Sequence, residues 1–250
     1  MKANDVVQIS RRNFLRVAAT ASAGIALGAL PYAARSASGA DAGVRIGVIG
    51  SGRIGGTLGT IWLKAGHAVM FSSLDLEHDK ALAAELGGKA RAGTPKEAAA
   101  FGEVLLLAVP YSALPQVGRD LAALIKGKVL IDACNPFVRR DGDIAAWARE
   151  KGAGLASAEL LPGARIVRAF NAVGYSRLPE IAEGQGARPG MPMAGDDAQA
   201  IALASRLVRD AGFEPVVIGP LAMGRHLIPG TPLGGVQTPE ELRTAAATLN

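Results

Sequence analysis

The feature that most constrains the fold is a glycine-rich segment at residues 50–55, which reads Gly-Ser-Gly-Arg-Ile-Gly. The apolar run before it, residues 44–49, is too short for a helix and ends at a glycine, which predicts a buried parallel strand. Residues 54–64 place apolar side chains on one face and are followed by Gly66, which predicts a helix. A strand, a glycine turn and a helix in this order are typical of the first unit of a parallel α/β sheet.

The spacing of the three glycines indicates a cradle for the diphosphate of a dinucleotide. Gly50 permits the tight turn, Gly52 lets the backbone approach the diphosphate, and Gly55 allows the helix to pack closely on the strand. The free N–H groups and the positive end of the helix would then hold the anion. A glycine turn without any ligand is the alternative interpretation.

The rest of the chain alternates strand-like and helix-like segments. Further strands are predicted at residues 67–72, 89–92, 103–109, 128–132, 165–169, 190–194 and 214–218. Further helices are predicted at residues 76–86, from 94, and at 112–125, 196–211 and 239–246. The alternation predicts the α/β class, with a Rossmann-type doubly wound parallel sheet and a small C-terminal extension.

Two local expectations accompany this fold. Asp196, with Gln199 three residues later, is interpreted as the cap of the helix that runs to Ala211. The strands lose their regular spacing at residues 137–165, where we expect a boundary. The predicted organisation is a signal at residues 1–40, an NAD(P)-binding Rossmann domain at 41–228 and a tail at 229–250.

Residues 1–40 have the three parts of an export signal. A basic stretch contains Arg11 and Arg12, a mildly apolar run follows at residues 17–33, and small residues end the segment at Ala40. The adjacent arginines, followed by Phe14 and Leu15, resemble the twin-arginine signal that bacterial export machinery reads. We therefore expect cleavage after Ala40 and a periplasmic or extracytoplasmic protein. An uncleaved amphipathic anchor is the alternative.

Charge and composition exclude several classes of protein. Residues 1–40 hold five of the 27 Lys and Arg but one of the 22 Asp and Glu, so residues 41–250 are nearly neutral. Such a balance leaves no electrostatic footprint for nucleic acid or anionic lipid, and 4% aromatic residues are too few for a base-stacking surface. One cysteine, Cys134, excludes an internal disulfide, and with three histidines in the chain we expect no metal site.

The end of the second predicted strand bears on the choice of dinucleotide. An acidic residue there would bind the ribose 2′-hydroxyl and repel a 2′-phosphate. This strand instead ends in Ser72 and Ser73, with Arg53 nearby, and the first acid is Asp75. The two hydroxyls and the arginine favour NADP over NAD, although a short loop that brought Asp75 to the ribose would reverse this preference.

Several other side chains fall near predicted strand ends. Asn135 and Asn171 could contact ribose or nicotinamide, or could stabilise turns, and both interpretations stay open. Cys134 is interpreted as a small buried residue and residues 139–141 as a solvated turn. His226 is interpreted as a surface residue of a loop, with a proton donor that lines the cleft as the alternative. We assign no catalytic residue, because hydride transfer between stacked rings requires orientation rather than a general acid.

Blocks of sequence in order along residues 44–228 resemble the NADP oxidoreductases that depend on the deazaflavin coenzyme F420, and also the cytoplasmic domain of membrane metalloreductases. Besides the glycine segment and the serine pair, the blocks are LLLAVP at 105–110, IDACNP at 131–136, VRAFN at 167–171, AGDD at 194–197 and GFEPV at 212–216. The resemblance implies a Rossmann domain with a small extension that forms the cleft. It also implies hydride transfer between nicotinamide and a stacked deazaflavin.

The resemblance assigns cofactor contacts to the glycine segment, the serine pair, the end of the fourth strand and Asn171, to which our own interpretation adds Asn135. The candidate cofactor-binding residues are therefore Gly50, Ser51, Gly52, Arg53, Ile54, Gly55, Ser72, Ser73, Ala108, Val109, Pro110, Asn135 and Asn171. The chain departs from the family pattern at Leu74, where the family often has an arginine that clamps the 2′-phosphate. A second departure is Ala172, where the family often has threonine.

The sequence thus predicts an exported NADP-linked oxidoreductase that acts on a deazaflavin-like or other small redox acceptor, with the twin-arginine machinery as a partner. No nucleic acid and no stable membrane span in the mature chain are expected, and a homodimer is left open. A non-catalytic dinucleotide-binding protein is one alternative. An imine or pyrroline-carboxylate reductase is another, although that class appends a long helical dimerisation region and only about 22 residues follow Ile228 here.

Overall fold

The computed structural model of the protein describes residues 43–249. The predicted export signal and its cleavage after Ala40 lie outside the described residues. The strands are β1 (Arg45–Ile49), β2 (Ala68–Ser72), β3 (Ala90–Ala92), β4 (Val104–Leu107), β5 (Val129–Asp132), β6 (Arg165–Arg168), β7 (Gly190–Gly195) and β8 (Glu214–Gly219). The helices are α1 (Arg53–Lys64), α2 (Leu76–Leu86), α3 (Pro95–Phe101), α4 (Leu114–Asp120), α5 (Ala122–Ile125), α6 (Val138–Asp141), α7 (Asp143–Lys151), α8 (Ala153–Leu160), α9 (Leu178–Glu183), α10 (Ala198–Asp210) and α11 (Pro239–Ala247).

The strands form one sheet in the order β3-β2-β1-β4-β5-β6-β7-β8. Strands β1 to β6 are all parallel to one another. The chain moves outward from β1 to β3 and then returns to the other side of β1 at β4, which is the strand order of a Rossmann sheet. The predicted fold class is therefore confirmed.

Both faces of the sheet are covered, because alternate residues of the central strands enter different apolar clusters. On β4, Val104 and Leu106 pack into one cluster together with Trp62, whereas Leu105 and Leu107 pack into the other. A strand that is buried on both faces needs an apolar side chain at every position. This explains why β4 reads as a continuous Val/Leu run.

The last two strands differ from the predicted parallel arrangement. β7 pairs with β6 in the antiparallel direction, through Val167 with Gly195 and Arg168 with Ala194, and β8 is parallel to β7. The connection from β6 to β7 contains α9, whose Glu183 pairs with Lys64 at the end of α1 and whose Leu178 is buried in the same apolar cluster as Trp62.

Three further predictions were wrong in detail. The segment at residues 137–165 is no boundary but the helices α6, α7 and α8, which connect β5 to β6 of the same sheet. The helix predicted at residues 112–125 is a 3₁₀ turn followed by α4 and α5, with a break at Leu121 (φ −109°, ψ 6°). The cap of α10 is Asp197, which accepts from the Ala200 N–H at 2.8 Å, while Asp196 accepts from the Leu221 N–H at 2.8 Å.

Residues after β8 return to the sheet as a small packed extension. Leu233 and Leu242 are buried in a third cluster together with Ala194 and Val216 of the last two strands. Helix α11 is nine residues long and begins with a capping box formed by Thr238 and Glu241. The C-terminal extension thus covers the β7–β8 end of the sheet.

A buried histidine ties the start of β1 to the end of α10. The Nδ1 atom of His67 accepts from the Val44 N–H at 3.0 Å, so the ring proton lies on Nε2, which is 3.0 Å from Oδ2 of Asp210. His67 is 2% exposed, so water cannot replace these bonds. The side chain therefore fixes two elements that are far apart in the sequence.

Replacing His67 with leucine should lower the free energy of unfolding by about 2 kcal/mol, because the buried N–H of Val44 loses its acceptor. Urea denaturation of the purified protein measures this loss. The exposed His78 provides the control, and His78→Leu should leave the stability within about 0.5 kcal/mol of wild type. Equal stability of both variants would show that the histidine bonds contribute little.

Asp197 gives the fold a defined acid sensitivity. Hydrogen bonds from the Arg165 guanidinium, and then from the Ala200 N–H, lower the pKa of Asp197 to about 2. An unfolded Asp has a pKa of about 3.9. Because the folded value is the lower one, the carboxylate stabilises the fold above about pH 4, and this contribution is lost as the pH falls to about 2.

Asp197→Asn should therefore have a lower Tm than wild type at pH 7 and a smaller further loss of stability between about pH 4 and about pH 2. Thermal unfolding at a series of pH values measures both effects. Asp143→Asn, at an exposed carboxylate in the first turn of α7, is the matched control and should follow wild type. A pH profile of Asp197→Asn that parallels wild type would contradict this assignment.

Candidate functional site

The glycine segment lies at the carboxyl edge of the sheet, where β1 and β4 are neighbours. Ile49 at the end of β1 pairs with Leu107 at the end of β4, and the segment 50–55 leads from β1 into α1. The chain order reverses between these two strands, since β2 and β3 lie on the other side of β1. In open α/β sheets this reversal opens a crevice in which ligands bind.

A different feature of the local geometry explains why each of these three positions is a glycine. Gly50 has φ +100°, a conformation that favours glycine, and its N–H donates to the Ser72 carbonyl at 2.8 Å. A Cβ on Gly55 would lie 2.0 Å from the Gly50 carbonyl oxygen, so α1 can approach the turn only without a side chain there. A Cβ on Gly52 would meet no atom of the described residues within 4 Å, which leaves the backbone open to the cleft.

The N-terminus of α1 is available to an anion. Gly52 is its N-cap, and among the described residues no side chain caps it and no acid stands in its first turn. The first N–H groups of a helix have no partner inside the helix, and the helix dipole adds partial positive charge there. This end of α1 can therefore hold a phosphate or diphosphate.

A cavity of about 780 Å³ lies in front of the glycine turn. The predicted site residues that line it are Gly50, Gly52, Ser73, Ala108, Val109 and Pro110. Its volume is typical of a cofactor pocket. Ser51 and Arg53, together with Gly52, line a second cavity of about 830 Å³ on the outer side of α1.

Ile54, Ser72 and Arg53, which were also predicted to bind the cofactor, do not line the cavity in front of the glycine turn. Ile54 is half-buried and packs against the apolar cluster on one face of the sheet, so its side chain serves the core. Ser72 is fully buried, and its hydroxyl donates to the Val48 carbonyl at 2.6 Å. Arg53 lies over the ring of Tyr175 at 5.3 Å from the centroid, which links α1 to the loop after β6.

A buried carboxylate that was not predicted from the sequence lies beneath Ser51 and Ser73. Asp79 is fully buried in α2 and accepts hydrogen bonds from the hydroxyls of Ser51 and Ser73, the latter at 2.9 Å. In the sequence it is one of several acids near the start of a helix, so no local pattern marks it. Asp75 caps α2 by accepting from the His78 N–H at 3.0 Å.

The two predicted asparagines meet at the ends of β5 and β6. The Asn135 amide donates to the Asn171 carbonyl at 2.7 Å, and the Asn171 amide donates to the Cys134 carbonyl at 3.2 Å. Within residues 43–249 the Oδ1 atoms of both asparagines are buried and have no hydrogen-bond partner. The asparagines thus stabilise the turns, each keeps one buried acceptor without a partner among these residues, and neither lines the cavity in front of the glycine turn.

A buried ion pair, also missed in the sequence, supports these turns. Arg168 and Asp132 are fully buried, and the guanidinium donates to Asp132 and to the carbonyl oxygens of Cys134 and Leu227. Phe170, which follows, has φ +65°, a strained value for a residue other than glycine. The ion pair and the strained residue together fix the direction in which the chain leaves β6 toward Asn171.

The turn predicted as solvated at residues 139–141 is instead organised by a buried side chain. Burial alone would raise the pKa of Asp141, but hydrogen bonds from Arg140, the Phe137 N–H and the Ser112 N–H lower it overall. Arg140 also donates to the Asn135 carbonyl at 2.9 Å. Asp141 therefore joins the loop after β4 to the loop after β5 at the edge of the cleft.

The remaining candidates have no evident chemical role. Cys134 is buried, its thiol lies 3.4 Å from the Leu107 carbonyl, and burial raises the pKa of this thiol well above its ordinary value. His226 ends a 3₁₀ segment and is half-buried, so it is not the surface residue that was predicted. In the part of the chain that the structure describes, no three His, Cys, Asp or Glu side chains are grouped to hold a metal ion.

The strand order and the glycine turn together define a dinucleotide-binding domain of the Rossmann type. Residues 45–136 match the family described as NADP oxidoreductase, coenzyme F420-dependent. The metalloreductase STEAP3 of Rattus norvegicus is 29% identical over 189 residues, which cover 73% of this chain. The chain spans only 35% of the length of that curated relative.

Solved structures share the fold. A hypothetical protein of Sinorhizobium meliloti has a TM-score of 0.66 and 24% identity, over 77% of this chain and 93% of that one. A protein of Arthrobacter sp. FB24, described as a candidate F420-dependent NADP reductase, has a TM-score of 0.61 and 20% identity, over 73% of this chain and 88% of that one. The matched family is described as NADP oxidoreductases and the rat relative as a metalloreductase, which agrees with the predicted class of oxidoreductase. None of the described helices is long and apolar enough to cross a membrane.

Proposed function

We propose that the protein transfers a hydride between a nicotinamide dinucleotide, held at the N-terminus of α1, and a small redox acceptor of the deazaflavin type. The observation that carries this proposal is the uncapped N-terminus of α1, whose glycine N-cap faces an open cleft. The family match over residues 45–136 supports the same function.

The residues present fit the diphosphate of such a cofactor. The first-turn amides of α1 would bind its oxygens, and the bare backbone at Gly52 leaves room for their approach. The segment from Ala108 to Pro110 forms the opposite wall of the cavity and would exclude water from the bound cofactor. When bound, the nicotinamide supplies or accepts the hydride, so no side chain has to carry it.

We place the reacting end of the site at the asparagine pair, which follows β5 and β6 and is not part of the lining of the cavity in front of the glycine turn. The unpartnered Oδ1 atoms of Asn135 and Asn171 would accept hydrogen bonds from an amide or ring N–H of a ligand. The bond from the Asn135 amide to the Asn171 carbonyl and the bond from the Asn171 amide to the Cys134 carbonyl fix the orientation of the two amides. Fixed acceptors of this kind orient two rings for transfer and lower its entropic cost.

Gly52→Val should lower the affinity for NADPH by at least about 100-fold, because the new side chain would occupy the space of the diphosphate. Calorimetric titration with NADPH measures the affinity. Oxidation of bound NADPH by added deazaflavin, followed by the nicotinamide absorbance, measures turnover and should be lost in parallel.

Gly174→Val is the matched control, because Gly174 also has open space around its Cβ position and an ordinary negative φ of −66°. This variant should bind NADPH as wild type does. Unchanged affinity in Gly52→Val would reject the cradle. A wild-type protein that binds NADPH but leaves its absorbance steady with every acceptor would instead be a non-catalytic binding protein.

We also propose that the protein is exported in the folded state by the twin-arginine pathway, on the basis of Arg11, Arg12 and the apolar run that follows. Replacing both arginines with lysine should retain the protein in the cytoplasm of a bacterial host, because the receptor reads the arginine pair and not its charge. Cell fractionation and immunoblotting measure this. Arg35→Lys should be exported normally, and export of the double variant would contradict the proposal.

A further inference from the structure

The end of the cleft nearest α2 is shaped by a carboxylate that lies behind two serines. Asp79 connects Ser51 of the glycine turn with Ser73 of the loop after β2, and its own N–H donates to the Asp75 carbonyl at 3.1 Å. In a dinucleotide-binding fold the adenosine ribose binds between these two segments. Asp79 therefore lies beneath the surface that would face this ribose.

The hydroxyl protons of the serines are all used inside the protein. A serine hydroxyl carries one proton and two lone pairs. Ser51 donates its proton to Asp79, Ser72 donates to the Val48 carbonyl, and Ser73 donates to Asp79, with the Asp75 carbonyl at 3.1 Å as the other acceptor. A phosphate only accepts hydrogen bonds, so none of these hydroxyls can serve it without losing its present partner.

A ribose hydroxyl has the opposite requirement. It can donate a hydrogen bond, and Ser73, which lines the cavity, still offers a lone pair in addition to the one that accepts from the Asp75 N–H at 3.1 Å. The arrangement that withholds a donor from a 2′-phosphate thus presents an acceptor to a 2′-hydroxyl.

The charged residues that line the cavity act in the same direction. Asp75, Asp120 and Lys96 line it, and Asp79 lies directly behind Ser73, so three carboxylates stand against one ammonium group. Leu74 extends fully into solvent and carries no charge. Arg53 and His78 line the neighbouring cavity on the outer side of α1, where Arg53 lies over Tyr175.

We propose that Asp79 and Leu74 set the cofactor selectivity of this chain, so that it takes NAD(H) at least about as readily as NADP(H). The inference rests on the proposed function, since it concerns the ribose subsite of the same cleft. Asp79 holds the serine protons inward and adds a negative charge, whereas Leu74 supplies no cation to balance a 2′-phosphate.

Calorimetric titration of the purified full chain with NADH and with NADPH tests this proposal, and the dissociation constants are compared. For wild type we expect the dissociation constant for NADH to be no more than about twofold above that for NADPH. Leu74→Arg should tighten NADPH binding by about tenfold and leave NADH binding unchanged, because the new guanidinium would pair with the 2′-phosphate, which NADH lacks. Asp79→Asn should also shift the ratio toward NADPH, by about threefold or more.

Glu77→Gln is the matched control. It removes one negative charge from the first turn of α2, but Glu77 is exposed, pairs with Lys80 at 2.8 Å and contacts neither serine. This variant should keep the wild-type ratio of the two dissociation constants. Thermal unfolding of Asp79→Asn checks that this variant is folded. If it is not folded, Leu74→Arg alone tests the proposal, because it changes an exposed side chain.

The outcomes separate this inference from the proposed function. If wild type binds NADPH more than about twofold tighter than NADH, or if Leu74→Arg leaves the ratio unchanged, the selectivity proposal is wrong and the dinucleotide site stands. If neither dinucleotide binds to wild type, the proposed function and the selectivity proposal both fail.

Discussion

The close contact between α1 and the turn after β1 is the constraint on which the candidate site depends. The backbone of Gly55 lies so near the Gly50 carbonyl that no side chain fits between them. This contact aims the first turn of α1 past the end of β1 and into the crevice beside β4. Helix amides and dipole then act where the strand order reverses, which is where a ligand can reach several strand ends together.

The far side of the carboxyl edge is built by buried charges and not by glycine. The Arg168–Asp132 pair holds the turns after β5 and β6, and Asp141 holds the loop after β4 against the loop after β5. Removing either partner of a fully buried pair leaves an uncompensated charge, so such a pair fixes one arrangement of the chain around it. The asparagines lie between the turns that result, with their amide groups oriented by neighbouring backbone.

Much of the fold and part of the site could be predicted from local patterns. The bounds of α2, the start of α3 and the apolar strand β4 follow from capping residues and apolar runs within a few residues. The antiparallel direction of β7 could not be predicted from the sequence, because a short apolar run carries no information about the strand with which it pairs. Asp79 and Arg168 did not follow either, since charged residues are ordinarily interpreted as exposed and their burial depends on partners distant in the chain.

The sequence by itself determined the glycine turn, the α/β class and the position of the candidate diphosphate cradle, because each of these depends on backbone geometry and on periodicity over a few residues. Tertiary structure alone decided which serine faces the cleft, where its proton points and which carboxylate lies behind it. The physical reason is that the orientation of a hydroxyl is set by its acceptor, and the acceptor here comes from another element of the fold. The selectivity of a pocket therefore depends on contacts that no sequence window contains.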